Sequence, residues 1–328
     1  MLEKITKLAS INGVSGNEKA VCDYIKSELT PYADKIYSDV LGNLVAVKRG
    51  SGKRVMLMAH TDEIGIVATF VDEQGFVRVS AVGGVSAVGF LGTHVTFENG
   101  TRGVFTCEKT KDIKMSDCYV DVGGTDREST LSLIDIGMTA RFDADTFETG
   151  EVIVSKALDD RVGCHILMEV AKNMPKTDAE VYFVFTSQEE VGLRGARVAG
   201  FDINPDVAIA VDVTIATDTP DCKSYGCKLH GGAAVKIRDA SAICSQSVIA
   251  DLESAAEGKG IPTQRDVLTA GGTDIGAVQT GGRGALVGGV SVPVRNVHSC
   301  SETASKKDIQ ASIDLLCAYL EKCVENNA

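Results

Sequence analysis

Three uninterrupted apolar runs mark the predicted centre of the fold. They are Val55–Ala59, Val181–Thr186 and Val207–Val211. β-Branched and aromatic residues in unbroken runs are typical of strands that are buried on both faces of a parallel sheet. A fourth apolar region, Gly284–Val292, has a similar character. Polar or charged residues follow each run, so the pattern predicts a sheet whose strand ends carry the polar side chains.

Helical periodicity appears between and around these strands. The apolar stripes comprise Val21, Tyr24, Ile25 and Leu29 in one segment and Val162, Ile166 and Val170 in another. Ser15 and Glu18 match a capping box before the first stripe, and an amphipathic helix capped by Ser305 and Asp308 closes the chain. The combined pattern predicts an α/β fold with a mixed, mostly parallel sheet flanked by helices.

Between residues 68 and 152 the pattern changes to short alternating strands punctuated by glycine. Phe76–Ser80 alternates with a period of two residues, and an Asn99-Gly100 turn separates two further strand patterns. This texture predicts an inserted all-β domain. The predicted division is therefore a catalytic α/β domain in two parts, residues 1–67 and 153–328, with a β domain at 68–152 between them.

Composition and charge narrow the functional classes. The net charge of −12 argues against a nucleic-acid groove and against an anionic membrane surface. The N-terminal residues lack the apolar core of a signal peptide, and no apolar run reaches the roughly 18 residues of a membrane span. The ten cysteines have no paired spacing, which favours reduced thiols. These features together predict a cytoplasmic protein.

Histidines and carboxylates collect where the predicted strands end. They are His60, Asp159, Glu189, Glu190, Asp212 and His298. In open α/β sheets, ligands bind beyond the carboxyl ends of the strands. Imidazole and carboxylate groups are donors for zinc, cobalt or manganese. Five ligands can hold two ions if one carboxylate bridges them, which leaves one acid to act as a general base.

Taken singly, several of these residues have plainer explanations. His60 can be a packed histidine at the end of a buried strand, although Asp62 is placed to receive one ring N–H and leave the other nitrogen free. Asp159 and Asp160 can cap the helix that follows them. His165 falls near a buried helical stripe and is predicted to be a packed core residue, and His94 and His230 receive no role.

At these positions the chain resembles the M42 metallo-aminopeptidases, a family of co-catalytic zinc peptidases. The motifs that carry the resemblance are Gly13–Glu18, Ala59–Gly65, Lys156–Arg161, Ser187–Ala196, Val211–Val213, Gly271–Asp274 and Val297–Ser299 with Glu302. They span nearly the whole chain in family order. The resemblance implies an enzyme that removes N-terminal residues from peptides, with some relatives labelled endoglucanases.

The resemblance also implies a role for each candidate residue. His60 and Asp212 would hold one metal ion, Glu190 and His298 a second, and Asp159 would bridge them, with Glu189 as the general base. The cofactors would be two divalent metal ions per subunit. Zinc or cobalt is the preferred choice for these ions, and manganese is the next candidate. The inserted β domain would be a dimerisation domain, and the family builds tetrahedral particles of twelve subunits.

The chain departs from the family at a few positions, and two other functional classes stay open. Asn296 stands where an aromatic residue is usual, and Cys300 where proline or threonine is more common; a thiol so close to His298 raises the hypothesis that oxidation or alkylation affects activity. A glycoside hydrolase would use Glu189 with another acid but would leave both histidines unexplained. A non-enzymatic protein that uses the metal only as a scaffold would be favoured if Glu189 were absent, but Glu189 is present.

Overall fold

A computed structural model describes residues 1–325 except 221 and 223–225. The strands are β1 Lys35–Ser38, β2 Leu44–Lys48, β3 Arg54–His60, β4 Gly65–Val71, β5 Val77–Val82, β6 His94–Phe97, β7 Arg102–Cys107, β8 Cys118–Asp121, β9 Thr139–Phe142, β10 Phe147–Thr149, β11 Val152–Ser155, β12 Glu180–Thr186, β13 Val207–Ile215, β14 Ala233–Arg238, β15 Thr263–Val267, β16 Leu286–Arg295 and β17 Glu302–Ser305. The helices are α1 Leu2–Ser10, α2 Lys19–Leu29, α3 Arg127–Leu131, α4 Leu158–Lys172, α5 Arg194–Ile203, α6 Gln246–Lys259, α7 Ile275–Gln279 and α8 Lys306–Glu325.

A mixed sheet forms the larger part of the described chain. Its main path runs β1-β2-β12-β3-β13-β16-β17-β11-β10, and β14 and β15 extend from β16. The central strands β12, β3, β13 and β16 are parallel. They are buried nearly throughout, as their apolar sequences predict. Helix α4 packs against β3 and β13 and joins the same core.

The predicted mixed α/β fold is confirmed, but the sheet is not mostly parallel. Only four of the ten strand pairings described for it are parallel. Antiparallel pairs flank the parallel centre because strands that are joined by short connections, such as β1 with β2 and β16 with β17, fold back on each other. The apolar runs therefore predicted the central strands and not the outer ones.

A separate antiparallel barrel is formed by β4, β5, β8, β7, β6 and β9. Its own core includes Phe97, Phe105 and Phe142, all buried. The prediction of an all-β unit is confirmed at this level. The barrel strands extend from Gly65 to Phe142, whereas β10 and β11 pair within the large sheet and α3 is a short helix inside the insertion. The division at residues 68 and 152 stays a prediction, and residues 326–328 lie outside the described part of the chain.

Two local predictions are wrong, and both concern the candidate site. Ser15 does not cap α2, because its hydroxyl donates to Asp62 Oδ2 at 2.6 Å. The Glu18 carboxylate instead accepts from the backbone N–H groups of Gly16 and Gln188. Asp212 lies within β13 and not after it, since that strand continues to Ile215.

The start of the closing helix is capped by Ser305 as predicted, but not by Asp308. Ser305 Oγ accepts from Lys307 N–H, but the Asp308 carboxylate accepts from the backbone N–H groups of His230 and Gly232. Asp308 thus fixes a distant loop onto the start of α8.

No helix in the described part of the chain is long and apolar enough to cross a membrane.

Candidate metal centre

The six candidate residues come together at the carboxyl edge of the central strands. His60 is the last residue of β3, and it pairs in register with Thr186, the last residue of β12. Glu189 and Glu190 follow Thr186 after a short turn, and His298 follows β16. Asp159 lies at the start of α4, just beyond β11. The predicted strand-end cluster is therefore one compact group of side chains.

Asp159 lies between the two histidines. Its Oδ1 is 3.0 Å from His60 Nε2, and its Oδ2 is 3.3 Å from His298 Nε2. Glu190 Oε1 is 3.1 Å from the same nitrogen of His298, and Glu189 Oε2 is 3.9 Å from His60 Nε2. A carboxylate with one oxygen toward each imidazole has the arrangement of a bridging ligand. The Asp159-Asp160 peptide bond is cis.

Asp160 and Asp212 form a second group of donor atoms with His60. Donor atoms of His60, Asp160 and Asp212 lie within 4.8 Å of one another, as do those of His60, Asp159 and Glu190. Both Asp160 oxygens already accept backbone N–H groups, from His60 at 3.1 Å and from Gly163 at 3.0 Å. Asp212 Oδ1 accepts from Val213 N–H, so its Oδ2 is the oxygen left for another partner. Asp160 is thus fully engaged in holding β3, whereas Asp212 keeps a donor atom.

Asp62 supports the cluster through more contacts than the sequence indicated. Its Oδ1 is 3.4 Å from His60 Nδ1, the predicted pairing, but the backbone carbonyl oxygen of Asp62 lies nearer to that nitrogen, at 3.2 Å. The same carboxylate accepts the backbone N–H groups of Glu189 at 3.0 Å and Glu190 at 3.1 Å. Asp62 is fully buried, and Ser15 donates to it as well. One carboxylate therefore orients an imidazole and fixes the turn that carries both glutamates.

The electrostatics of the cluster favour a bound cation. Burial raises the pKa of Asp212 to about 7, and Asp159 adds to this shift. Burial likewise raises the pKa of Glu190, and that of Glu189 well above its usual range. Burial lowers the pKa of His298, but hydrogen bonds to Asp159 and Glu190 outweigh it and raise the pKa to about 11. Crowded carboxylates of this kind are stabilised by a multivalent cation, and the donor set of imidazoles and carboxylates fits zinc, cobalt or manganese.

The cluster opens onto a cavity of about 600 Å³. Its floor includes His60, Asp159, Glu189, Glu190, Asp212 and His298. Its walls include Leu193, Ile215, Leu268 and Val297, together with Gly271 and Gly272. The last two belong to the motif Gly271–Asp274 that carried part of the family resemblance. The cavity therefore combines an acidic floor with largely apolar walls.

The barrel approaches the cluster through two glycines that the sequence did not single out. His298 Nδ1 lies 3.2 Å from the carbonyl oxygen of Gly84. A Cβ atom at Gly84 would lie 2.6 Å from that nitrogen, and one at Gly83 would lie 3.2 Å from Cβ of Glu190. The Gly84 carbonyl is thus placed to accept the Nδ1–H of His298, while Nε2 faces Asp159 and Glu190. The pair of adjacent glycines was the only available signal, and it does not specify a partner.

The remaining histidines lie away from the cluster. His165 is buried in α4, where burial lowers its pKa to about 4, in keeping with the predicted packed residue. His94 is exposed on β6 of the barrel. His230 Nδ1 lies 2.9 Å from Ser305 Oγ, a partner that the sequence did not reveal. Cys300 packs against the barrel core, and burial raises the pKa of its thiol to about 11.

An α/β sheet with imidazoles and carboxylates at its carboxyl edge has the donor set of a divalent-metal hydrolase. The sequence profile described as M42 glutamyl aminopeptidase matches residues 42–315. A putative aminopeptidase of Acetivibrio thermocellus is 46% identical, with 96% of this chain and 97% of that protein covered. The chain belongs to the M42 family of aminopeptidases and is a peptide hydrolase.

Solved structures agree with this assignment over nearly the full length. Aminopeptidase APDkam598 from the archaeon Desulfurococcus kamchatkensis has a TM-score of 0.94 at 36% identity, covering 98% of this chain and 94% of that one. The Pyrococcus horikoshii TET1 peptidase, which can assemble into a tetrahedron or a large octahedral shell, has a TM-score of 0.89 at 32% identity, covering 97% and 98%. A Thermotoga maritima protein described as an endoglucanase has a TM-score of 0.84 at 29% identity, covering 99% of each chain. The resemblance found in the sequence motifs is confirmed.

Proposed function

We propose that the protein is a dinuclear metal-dependent aminopeptidase that removes single residues from the free N-termini of peptides. The observation that carries the proposal is the position of Asp159, which offers one oxygen to His60 and the other to His298. We assign His60 and Asp212 to one ion, Glu190 and His298 to a second, and Asp159 to both. Zinc or cobalt suits this set first and manganese second.

Glu189 is the proposed general base. Bound at these ligands, two divalent ions would supply Lewis acidity toward the scissile carbonyl and lower the pKa of the attacking water. Glu189 takes the proton of that water and delivers it to the leaving amine. Burial raises the pKa of Glu189, which strengthens it as a proton acceptor, and Asp62 holds its backbone N–H in place. Glu190, four residues beyond β12, faces His298 instead and is a ligand in this assignment.

The cavity walls indicate the N-terminal side chain that the enzyme prefers. Leu193, Leu268 and Val297 are half-buried, and Ile215 is 51% exposed toward the cavity side of β13. No lysine or arginine is among the described residues that line the cavity. An apolar side chain would be desolvated there with little cost, whereas a charged one would lose hydration without a partner. We propose leucine- or methionine-like N-terminal residues as the preferred substrates.

Self-association through the barrel is the second part of the proposal. Phe70, Leu131, Leu133 and Ile136 are each at least 40% exposed on the barrel and its short helix. Several exposed apolar side chains on one unit of the fold are candidates for burial against a partner. The TET1 peptidase, which resembles this chain over nearly its full length, can assemble into a tetrahedron or a large octahedral shell. We propose a tetrahedral dodecamer built through barrel contacts, and light scattering of the intact protein tests it.

One assay tests the catalytic proposal against its alternative. Apo enzyme refilled with zinc, cobalt or manganese would be offered aminoacyl-nitroanilides and a soluble cellulose derivative. We expect metal-dependent release of nitroaniline and no glycan cleavage. The endoglucanase description of one structural neighbour makes the glycan arm a necessary control. Metal-independent glycan cleavage without peptidase activity would overturn the proposal.

A further inference from the structure

Glu302 is a buried carboxylate that contacts the candidate centre only through backbone. It is the first residue of β17 and is 2% exposed. Its Oε1 accepts the backbone N–H of His298 at 2.7 Å, and its Oε2 accepts the backbone N–H of Asp159 at 3.0 Å. Asp159 and His298 are distant in sequence, and their side chains meet at 3.3 Å. One side chain thus joins the two backbones that carry these groups.

Both backbone segments need support from outside their own elements. His298 has a φ of 60°, in the left-handed region that a residue with a Cβ atom rarely adopts, and it lies in the loop between β16 and β17. Asp159 lies at the start of α4, where backbone N–H groups have no carbonyl partner within the helix. Both backbone N–H groups donate to one carboxyl group, so a single side chain stabilises both conformations at the same time.

Glu302 is not itself suited to be a ligand. Each of its oxygens already accepts a backbone N–H, although the group lines one small pocket with the side chains of Asp159, Glu190 and His298. Its length matters, because the two N–H groups are bridged by the two oxygens of a single carboxylate. Because the two N–H groups donate to different oxygens, a side chain with an NH₂ group in place of one oxygen leaves one backbone donor facing another donor.

We propose that Glu302 is a positioning residue that sets the separation of the Asp159 carboxylate and the His298 imidazole, and through it the affinity and geometry of the metal position they share. This inference rests on the ligand assignment in the proposed function. It adds a residue that touches neither metal nor substrate. Removing either hydrogen bond should therefore change metal binding before it changes the fold.

The test is Glu302→Gln, which keeps the shape and replaces one acceptor oxygen by an amide NH₂ that faces a backbone donor. We expect the affinity for the more weakly bound ion to fall about 10- to 100-fold, the size typical for losing a group that orients a ligand. Cobalt titration of the apo protein, followed by its visible absorption, measures both affinity and coordination geometry. We expect an altered cobalt spectrum and a fall in kcat with little change in KM.

Asp308→Asn is the matched control. Asp308 is a buried carboxylate whose two oxygens accept the backbone N–H groups of His230 and Gly232, at 2.8 and 2.7 Å, and neither residue belongs to the cluster. The same chemical change there should affect thermal stability but leave cobalt affinity and spectrum as in the wild type. Glu302→Asp keeps both acceptors on a shorter side chain, and we expect it to lower affinity less than Glu302→Gln.

The outcomes separate this inference from the proposed function. Wild-type protein that binds no divalent ion and hydrolyses no nitroanilide would remove the proposed function. Wild-type protein that binds two ions, with Glu302→Gln and Asp308→Asn both unchanged in cobalt affinity and spectrum, would overturn the role of Glu302 alone. If Glu302→Gln fails to fold, an unchanged cobalt spectrum in Glu302→Asp has the same consequence.

Discussion

The large sheet and the barrel are both built from short strands around their own buried cores, but they differ in what their strand ends offer. In the sheet, β12, β3, β13 and β16 are parallel, so their carboxyl ends lie at one edge and bring distant polar residues together. In the barrel, antiparallel neighbours alternate in direction and the closed ring has no such edge. Parallel pairing therefore creates the candidate site in the sheet. The barrel has no such strand edge, and we propose its surface for contacts between subunits.

This contrast has one exception: the backbone of Gly83 and Gly84, next to the barrel strand β5, borders the candidate metal centre. Gly83 and Gly84 bring a chain segment against Glu190 and His298 that no residue with a side chain could follow as closely. The carbonyl of Gly84 faces His298 Nδ1. The barrel thus supplies no described donor side chain to the cluster, yet it borders one of its ligands.

The largest expected effect belongs to the sheet edge. Glu189→Gln removes only proton transfer, so kcat should fall about 10²- to 10⁴-fold while both metals stay bound. Glu190→Gln, one residue further on, should instead lower metal occupancy because that carboxylate faces His298. Elemental analysis alongside kinetics measures both effects. A metal-depleted Glu189→Gln beside a fully loaded Glu190→Gln would reverse the two assignments.

Core truncations test whether the sheet and the barrel are separate units. Phe105 is fully buried in the barrel and Phe183 is 1% exposed in the sheet. Either change to alanine should cost about 3–5 kcal/mol of unfolding free energy. We expect Phe105→Ala to reduce assembly while metal content is kept, and Phe183→Ala to reduce both. Denaturation, light scattering and metal analysis check this, and identical losses in the two variants would mean a single cooperative unit.

Much of the sheet and of the cluster could be predicted from sequence because local patterns determine them. Unbroken apolar runs identified the central strands, and the polar residues after them converged as expected. Asp212 shows the limit, since β13 continues through it to Ile215 although the residue is an acid. Pairing with β16 along the whole segment overrides the local pattern there.

The supporting contacts could not be predicted because they join residues that are far apart in the chain. Ser15 and Glu18 form a plausible capping box in sequence. In the fold, however, Ser15 donates to Asp62 and Glu18 accepts from the Gln188 N–H, and these hydrogen bonds replace the capping box. Glu302 belongs to a family motif and Gly84 to a pair of glycines, but neither signal specifies the residue that it contacts. Hydrogen bonds of this kind depend on tertiary approach, which periodicity and spacing do not encode.

Gly84→Ala tests the contact between barrel and site. The new Cβ atom would lie 2.6 Å from His298 Nδ1, so the imidazole must move away from Asp159 and Glu190. We expect metal affinity to fall about tenfold, which is the lower end of the loss that is typical when a contact that orients a metal ligand is disturbed. Gly89→Ala is the control, because its Cβ atom would meet only Ser86 at 3.7 Å. Equal metal affinity in the two variants would mean that the barrel does not influence the centre.

A smaller effect, on selectivity alone, is expected at the cavity wall. Ile215→Lys places a cation where we propose that an apolar side chain binds, so kcat/KM should fall about tenfold for leucyl-nitroanilide and rise for glutamyl-nitroanilide. Ile243→Lys is the control, since Ile243 is 67% exposed and is not among the residues lining the cavity. A wild-type preference for charged residues would contradict the apolar assignment and leave the hydrolytic proposal intact.

The smallest effect is expected at Cys300, where the barrel core meets the loop of His298. Burial raises the pKa of its thiol to about 11, so about one molecule in ten thousand carries the thiolate at pH 7. We therefore expect Cys300→Ser to change activity less than about twofold and to leave inhibition by iodoacetamide as it is in the wild type. Cys317→Ser is the matched control, because that thiol is also half-buried with its pKa raised to about 11. Loss of iodoacetamide sensitivity in Cys300→Ser alone would show a reactive thiol at the boundary between barrel and sheet, and would make that boundary a point of chemical control over the site.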